Sequence, residues 1–445
     1  MVKIKYEEVW FMKKHTSFDF IAYMSPPPAN ARGDGNAQGE GNENFQTEEH
    51  YRNIVDCGFS GISAIYEYDE QEYCTALEFC DKVGLTMLVR DQKGLEPYVV
   101  KDMDKSGQSA TDWLQENGVA LEERLAKYAQ YSSFAGILAA DEPHTGKFQN
   151  LRVLQDWFKQ RYPDKEFEVN LLPDYASAEQ LTGDEKAEHD YPKHVDDFVN
   201  VVAPEYLSYD HYALCIDPAT KKPYLRASYL KNLEVVAKKA KETGVPFKVF
   251  LLTLGHWDFR TVSTYEDIAW QIYTSLAYGA AGAQTFTYWT MLGYPPGNEA
   301  RVTTGVVGAQ GELLPAWYAM KEVLHEARAF EKAYFSYTWE KCTYFLAGES
   351  NALTKPLDKN EDDLLLDVKT DNDLIVGCFT NKDKRAYLIA NITDPADKLS
   401  VQAKLQFASN GKAKIWQGGR VYNVEERNGY TLHLRAGEGV LLETE

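Results

Sequence analysis

Eight short apolar segments, each followed by a longer amphipathic segment, occupy most of the chain between about residue 18 and residue 330. Each apolar segment has the length of a buried strand. Strand followed by helix, repeated eight times, predicts a parallel sheet that closes into a (β/α)8 TIM barrel, an α/β fold. The predicted strands are Phe18–Met24, Gly61–Tyr66, Leu85–Arg90, Phe134–Ala140, Phe167–Leu172, Tyr206–Asp210, Phe247–Thr253 and Ala283–Trp289.

The segments between these strands carry apolar residues at helical spacing. An open, doubly wound sheet is the alternative arrangement, but no glycine-rich nucleotide-binding turn follows the first predicted strand. The barrel is therefore the favoured fold. The predicted helices include Ala76–Val83, Leu121–Tyr131, Leu151–Arg161, Tyr229–Thr243, Tyr265–Gly279 and Pro315–Phe330.

The pattern changes after about Ala333, where short alternating segments are separated by turn residues. Alternation with a period of two is typical of strands with one buried face, so this region predicts an antiparallel β-sandwich. We divide the chain into a barrel domain, residues 1–332, and a sandwich domain, residues 333–445. The predicted sandwich strands are Leu374–Phe379, Ala386–Asn391, Ala403–Phe407, Lys412–Gln417, Tyr430–Arg435 and Gly439–Glu443.

Charge and composition exclude several classes of partner. The 47 basic and 67 acidic residues give a net charge of −20, which argues against nucleic acid and anionic membranes because both require a cationic surface. No stretch approaches the roughly 18 consecutive apolar residues of a membrane span. The first residues lack the apolar core of a signal peptide, so we expect a cytoplasmic protein, although a chain trimmed of an export signal would look the same. The oligomeric state is left open.

The six cysteines are scattered along the chain without a CxxC pair or nearby histidine spacing. Neither a zinc site nor a disulfide framework is supported by this pattern, so we expect free thiols, no metal and no cofactor. The cysteines are Cys57, Cys74, Cys80, Cys215, Cys342 and Cys378.

The sequence Asp141-Glu142-Pro143-His144 directly follows the fourth predicted strand. Two acids at the carboxyl end of a buried parallel strand lie where a barrel enzyme keeps its catalytic groups. The alternative is that they cap the helix predicted to follow at Lys147–Gln160.

Other strand ends carry carboxylates, amides and aromatic rings. Aromatic faces cover the apolar faces of sugar rings, while acids and amides bind hydroxyl groups, so this set is suited to a polyhydroxylated, neutral ligand. Ordinary core packing is the alternative for any single aromatic residue. The candidate substrate-binding residues are Glu67, Asp91, Asn170, Tyr209, His211, His256, Trp257 and Trp289, and Asp210 is a further candidate catalytic acid.

Asp141-Glu142-Pro143 resembles the Asn-Glu-Pro signature of the clan A glycoside hydrolases, and Tyr278–Trp289 resembles the last strand of β-galactosidases of the family 42 type. The resemblance implies that Glu142 is the acid/base and that Trp289 forms the floor of a sugar subsite. A C-terminal β-sandwich ending in a pattern like that of residues 437–442 is also common in such enzymes.

The chain departs from this family pattern at two positions. Asp141 replaces the Asn of the signature, and no Glu stands at the end of the seventh predicted strand, where clan A has its nucleophile. Asp258 is the nearest acid there, but Asp210, after the sixth strand, is better placed to be the second carboxylate. Acids on strands four and six resemble the arrangement of clan D α-glycosidases, so the stereochemistry of the reaction is left open.

These features predict a glycoside hydrolase acting on an oligosaccharide or glycoside, with Glu142 as general acid/base and Asp210 as nucleophile or as base for water. Asp141 would help to raise the pKa of Glu142. The alternative is a barrel protein that binds carbohydrate without cleaving it. A metal-dependent hydrolase would need His-x-His after the first strand, where the chain has Met24 followed by Ser and two Pro. The long polar loop Pro26–Asn44 is predicted to be a mobile lid.

Overall fold

A closed barrel of eight parallel strands forms the first domain, in the order β1-β10-β9-β6-β5-β4-β3-β2, which confirms the predicted fold. The computed structural model describes residues 15–31, 42–63, 68–292, 301–347, 365–407, 412–424 and 430–444. Two of the first ten strands, β7 and β8, form a short antiparallel hairpin outside the barrel. In chain order the strands are β1 (Asp19–Tyr23), β2 (Gly61–Ser63), β3 (Thr86–Val89), β4 (Phe134–Asp141), β5 (Glu166–Leu171), β6 (Leu207–Asp210), β7 (Leu214–Ile216), β8 (Pro223–Leu225), β9 (Phe247–Leu252) and β10 (Gly282–Phe286).

Helices follow the barrel strands, and several begin earlier than their apolar periodicity predicts. The side chains of Asp69 and Ser109 accept hydrogen bonds from backbone N–H groups in the first turns of α2 and α5 and so fix where these helices start. The starts of both helices also bury aromatic residues, Tyr73 in α2 and Trp113 in α5, so the predicted starts were too late. The helices are α1 (Glu48–Cys57), α2 (Glu70–Val83), α3 (Leu95–Pro97), α4 (Met103–Ser106), α5 (Ala110–Tyr128), α6 (Phe148–Arg161), α7 (Ala178–Thr182), α8 (Tyr191–Val202), α9 (Tyr229–Thr243), α10 (Tyr265–Ala277) and α11 (Pro315–Tyr334).

The C-terminal domain is an antiparallel β-sandwich, as predicted. A six-stranded sheet in the order β11-β13-β14-β19-β16-β17 faces a three-stranded sheet in the order β12-β15-β18, and an apolar core lies between them. Three of its strands, β11, β12 and β17, were not predicted. The strands are β11 (Thr338–Phe345), β12 (Leu365–Thr370), β13 (Leu374–Asn381), β14 (Lys384–Asn391), β15 (Val401–Phe407), β16 (Ala413–Gln417), β17 (Arg420–Val424), β18 (Tyr430–Leu434) and β19 (Gly439–Thr444).

Helix α10 lies between the barrel and the sandwich, and two glycines let the sandwich backbone approach it closely. A Cβ atom at Gly377 would lie 2.0 Å from the carbonyl oxygen of Ala277, and one at Gly437 would lie 2.2 Å from that of Glu266. The indole Nε1 of Trp339 donates to the Ala277 carbonyl oxygen at 2.9 Å. The second domain therefore packs directly on a helix of the barrel.

All six cysteine thiols are free, as predicted, and all but Cys74 are buried. In the part of the chain that the structure describes, none of the helices combines the length and the apolar character needed to cross a membrane. The central part of the predicted lid, residues 32–41, lies outside the described residues.

Candidate active site

A one-residue irregularity in β4 turns Asp141 toward the barrel interior. Leu138 pairs with Glu168 of β5, but the register then shifts, so that Ala140 pairs with Val169 and Asp141 with Asn170. Side chains alternate between the two faces of a regular strand, and an extra residue reverses that alternation. As a result, the side chain of Asp141 lies on the same face as that of Asn170, at the carboxyl end of the strands.

Glu142 follows with a left-handed backbone, at a φ of 48°. This conformation is uncommon for a residue with a side chain, and such residues concentrate at functional sites. A hydrogen bond of 2.8 Å from the Glu142 N–H to the Asn170 carbonyl oxygen holds the backbone there. The next α-helix begins at Phe148, and its N-cap residue, Lys147, makes no side-chain cap. Neither Asp141 nor Glu142 therefore caps that helix.

The amide of Asn170 joins the acids of two strands. Its Nδ2 donates to Oδ1 of Asp141 at 3.2 Å and to Oδ1 of Asp210 at 3.1 Å. Glu142 directly follows Asp141, and the pKa of its carboxyl group responds to both Asp141 and Asp210. Asp141 and Glu142 are exposed at the barrel mouth, Asp210 is half-buried, and Asn170 is buried. The structure thus brings together all three predicted catalytic acids and Asn170.

Crowding of these acids changes their protonation. Burial of the carboxyl group, followed by the negative charge of Asp141, raises the pKa of Glu142 to about 7, although part of the side chain is open to solvent. Burial and the charges of Glu142 and Asp141 also raise the pKa of Asp210 well above its ordinary value, against the opposing hydrogen bond from Asn170. Near neutral pH the Glu142–Asp210 pair therefore tends to hold a proton, as a proton donor requires.

The end of β9 carries no acid. Thr253 is fully buried there, and its Oγ1 donates to the Thr287 carbonyl oxygen at 2.8 Å. Asp258 lies farther along the loop, with its carboxylate 4.0 Å from the guanidinium group of Arg226. Asp210, unlike Asp258, shares the amide of Asn170 with Asp141 in the hydrogen bonds described, and its role as the second carboxylate stays a prediction.

Asp91 forms a buried ion pair with Arg124. Its two carboxylate oxygens accept hydrogen bonds from Nε and Nη2 of Arg124 at 2.9 and 2.7 Å, and one of them also accepts the N–H of Leu95 at 2.8 Å. The side chain is nearly inaccessible to solvent. These bonds anchor the loop after β3 to helix α5, so we assign Asp91 a structural role.

Two predicted binding residues have buried side chains. Tyr209 lies among groups that include Tyr229 of helix α9, and it is 1% exposed. Trp289 is 0% exposed, with the rings of Phe45 and His50 at 5.1 and 5.2 Å. Neither side chain is accessible to a ligand in this structure. Glu67 lies outside the described residues.

The histidines at the strand ends support the mouth of the barrel. Nε2 of His211 lies 3.1 Å from both Oδ1 of Asp174 and Oγ of Ser228, and burial lowers its pKa. Nδ1 of His256 contacts the Leu254 carbonyl oxygen at 2.9 Å, and burial lowers the pKa of this residue as well. Both rings are therefore held in fixed positions by polar partners.

Two exposed aromatic side chains, Trp257 and Tyr175, lie in loops that follow barrel strands, and only Trp257 was predicted. Trp257 is 64% exposed, as a stacking platform for a ligand requires. Tyr175, which was not predicted, is also exposed, and the guanidinium carbon of Arg226 lies 4.1 Å from its ring centroid. Burial and the charge of Asp210 raise the pKa of Tyr175. The position of Tyr175 immediately after Asp174, beyond the fifth strand, was the available sequence signal.

Among the described residues, neither this site nor any other has a group of three or more His, Cys, Asp or Glu side chains arranged to hold a metal ion.

No protein-family model matches the sequence, and no curated protein matches it either. Among solved structures, a putative alpha-L-fucosidase from Bacteroides thetaiotaomicron matches with 11% identity and a TM-score of 0.44, over 74% of this chain and 99% of that one. The endo-beta-1,4-mannanase from Thermotoga petrophila matches with 10% identity and a TM-score of 0.42, over 97% and 95%. Native xylanase 10B from Thermotoga maritima matches with 13% identity and a TM-score of 0.42, over 71% and 97%. All three TM-scores are below 0.5, so these likenesses carry no argument about the activity of this chain.

Proposed function

We propose that this protein is a glycoside hydrolase that cleaves a glycosidic bond in an oligosaccharide or glycoside. The observation that carries the proposal is that Asn170 joins Asp141, at the end of β4 and directly before Glu142, to Asp210, at the end of β6, by hydrogen bonds of 3.2 and 3.1 Å. These acids lie on the face of the barrel where active sites lie. Glycoside hydrolysis uses a pair of carboxyl groups, one of which must be protonated when the substrate binds. The pKa of Glu142, raised to about 7, supports a protonated group here, whereas Asp210, whose pKa is raised well above its ordinary value, would have to lose its proton to act as nucleophile or base.

In this proposal Glu142 is the general acid and Asp210 is the nucleophile or the base for water. Glu142 is the more exposed of the two, so its carboxyl group can reach a glycosidic oxygen. Retaining enzymes hold their two carboxyl groups roughly 5–5.5 Å apart and inverting enzymes roughly 6.5–9.5 Å, so the spacing that this pair adopts around the substrate would decide the stereochemistry.

Tyr175, near Asp210 and Glu142, and Trp257, in the loop after β9, supply exposed aromatic faces for a sugar ring. Carbohydrate is accordingly the proposed substrate, and the likeness to family 42 β-galactosidases and the cytoplasmic location stay predictions.

The test is release of aryl alcohol from a panel of α- and β-aryl glycosides by the purified protein. Turnover of one anomeric series, with a product anomer defined by NMR, would establish the activity and its stereochemistry. Saturable sugar binding without turnover of aryl or natural oligosaccharides would contradict the proposal and select the non-catalytic carbohydrate-binding alternative.

Replacing Asp141 by Asn is expected to move the pH dependence of hydrolysis. A general acid acts in its protonated form, so kcat/KM should fall as the pH rises through the pKa of Glu142, about 7. The negative charge of Asp141 raises that pKa, so its removal should move this basic limb to lower pH by about half a pH unit. Asp164→Asn, in an exposed turn at the opposite end of the barrel, is the matched control. An unmoved limb in Asp141→Asn would show that Asp141 does not influence the proton donor.

A further inference from the structure

A chain of polar side chains runs through the barrel interior beneath the acids. At its lower end Nζ of Lys248 forms an ion pair with Glu168, and both side chains are almost completely buried. Nε2 of Gln284 donates to Glu168 and also to Oγ of Ser208, at 3.3 Å. Oγ of Ser208 in turn donates to Oδ1 of Asn170 at 2.9 Å. The chain therefore links β9, β5, β10 and β6 and ends at the amide that contacts the catalytic acids.

The direction of each hydrogen bond in this chain follows from the one below it. The ammonium group of Lys248 can only donate, and the carboxylate of Glu168 in this ion pair can only accept. Gln284 must then turn its NH2 group, not its carbonyl, toward Glu168. The same NH2 group donates to Ser208, whose hydroxyl hydrogen is left to point at Asn170. The carbonyl oxygen of Asn170 accepts that hydrogen, so its NH2 group has to face the acids.

We propose that Ser208 and Gln284 are positioning residues that hold the Asn170 amide with its NH2 group toward Asp141 and Asp210, in a direction set by the buried ammonium group of Lys248. The catalytic consequence rests on the proposed function, whereas the orientation itself does not. In the hydrogen bonds described, neither Ser208 nor Gln284 contacts Asp141, Glu142 or Asp210, so both act through Asn170.

Loss of this orientation would place the carbonyl oxygen of Asn170 against two carboxylates. The NH2 group stabilises their ionised forms, and a carbonyl oxygen would disfavour them. The other titratable groups near Asp210 are Asp141 at the end of β4, Glu142 directly after it, Tyr175 after β5, Tyr191 of α8, Tyr209 of β6 and Tyr212 after β6. All of these are acids and none carries a positive charge, so they cannot replace the stabilisation lost from Asn170.

The experiment is a pH titration of the side-chain carboxyl carbons by ¹³C NMR in the full-length protein, with the wild type beside Ser208→Ala. Substitution of Asp141, Glu142 and Asp210 one at a time assigns their signals. Ser208→Ala is expected to raise the titration midpoint of the Asp210 signal by about one pH unit. Ser275→Ala is the matched control, because Ser275 is also buried, in helix α10, and its hydroxyl donates to a backbone carbonyl at 2.7 Å. That control should leave the midpoint unchanged.

Gln284→Met provides a second variant, which keeps the length of the side chain and removes its amide. It should raise the same midpoint, and it keeps the proposal testable if Ser208→Ala does not fold. A folded variant of either kind with an unchanged midpoint would overturn the proposal. If the wild type hydrolyses no glycoside but the midpoint moves as expected, the proposed function fails and the positioning role stands. If the wild type is active and the midpoint does not move, the positioning role alone fails.

Discussion

Glu142→Gln is expected to lower kcat/KM by about 10²–10⁴-fold on an aryl glycoside with a poor leaving group. The substitution keeps the size and the hydrogen-bonding reach of the side chain but removes its ability to give up a proton. A leaving alkoxide of high basicity departs only if it is protonated as the bond breaks, so the missing proton slows this step directly. The measurement is kcat/KM for the wild type and the variant on the glycoside that the panel identifies.

The leaving group separates a proton donor from a residue that only binds substrate. A dinitrophenolate departs without protonation, so Glu142→Gln should be much less impaired on a dinitrophenyl glycoside than on a glycoside with a poor leaving group. Equal losses on both substrates would contradict the role of general acid, and full activity on both would remove Glu142 from the mechanism. Glu179→Gln, on the exposed surface of helix α7, is the matched control and should retain wild-type activity.

The barrel could be predicted because its sequence signal is local. Each strand is a short apolar run between polar turns, and the prediction Phe247–Thr253 differs from the observed Phe247–Leu252 by one residue. The shift in β4 could not be predicted in this way. Residues 136–140 read as a uniformly apolar run, so nothing in it marks the point where pairing with β5 changes register. The direction of the Asp141 side chain depends on that pairing and not on the local sequence.

The candidate site was predictable in position but not in the orientation of its side chains. Asp91 stands at a strand end as predicted, yet its partner Arg124 is 33 residues away in the chain. Trp289 is covered by Phe45 and His50, from the opposite end of the barrel sequence. Tyr209 is different, because the period of two places it on the opposite face from Asp210. Tyr209 therefore points away from the face that carries the acids, and this could be predicted from the sequence.

Lys248→Met is expected to destabilise the barrel by about 3–5 kcal/mol near neutral pH, because it leaves the buried carboxylate of Glu168 without its cation. Lys248 is 0% exposed and lies 2.7 Å from Glu166, in addition to its ion pair with Glu168. Burial alone would lower the pKa of Lys248, but the charges of Glu166 and Glu168 raise it above its ordinary value. The measurement is the free energy of unfolding from urea denaturation, followed by a signal from the barrel.

The destabilisation should depend on pH in a defined direction. Burial raises the pKa of Glu166 from 4.5 to about 8 in the folded protein, even though Lys248 opposes this change. A carboxyl group with a raised folded-state pKa contributes stability that is present below its unfolded pKa and is lost as the pH rises through the folded one. Removal of Lys248 raises the folded pKa of Glu166 further. Below about pH 8 both folded proteins hold this proton, so the difference in stability between variant and wild type should be steady, and above about pH 8 only the variant holds it, so the difference should grow.

A surface ion pair provides the matched control for this substitution. Lys127 and Glu70 are also 2.7 Å apart, but their side chains are 50% and 39% exposed. Lys127→Met should therefore cost less than about 1 kcal/mol and show little dependence on pH. The double variant Lys248→Met/Glu168→Gln should recover part of the lost stability near neutral pH, because it removes the uncompensated charge of Glu168. A Lys248→Met protein as stable as the wild type at pH 8 would mean that the carboxyl groups do not depend on Lys248, and the polar chain beneath the active site would then lack the cation that sets its direction.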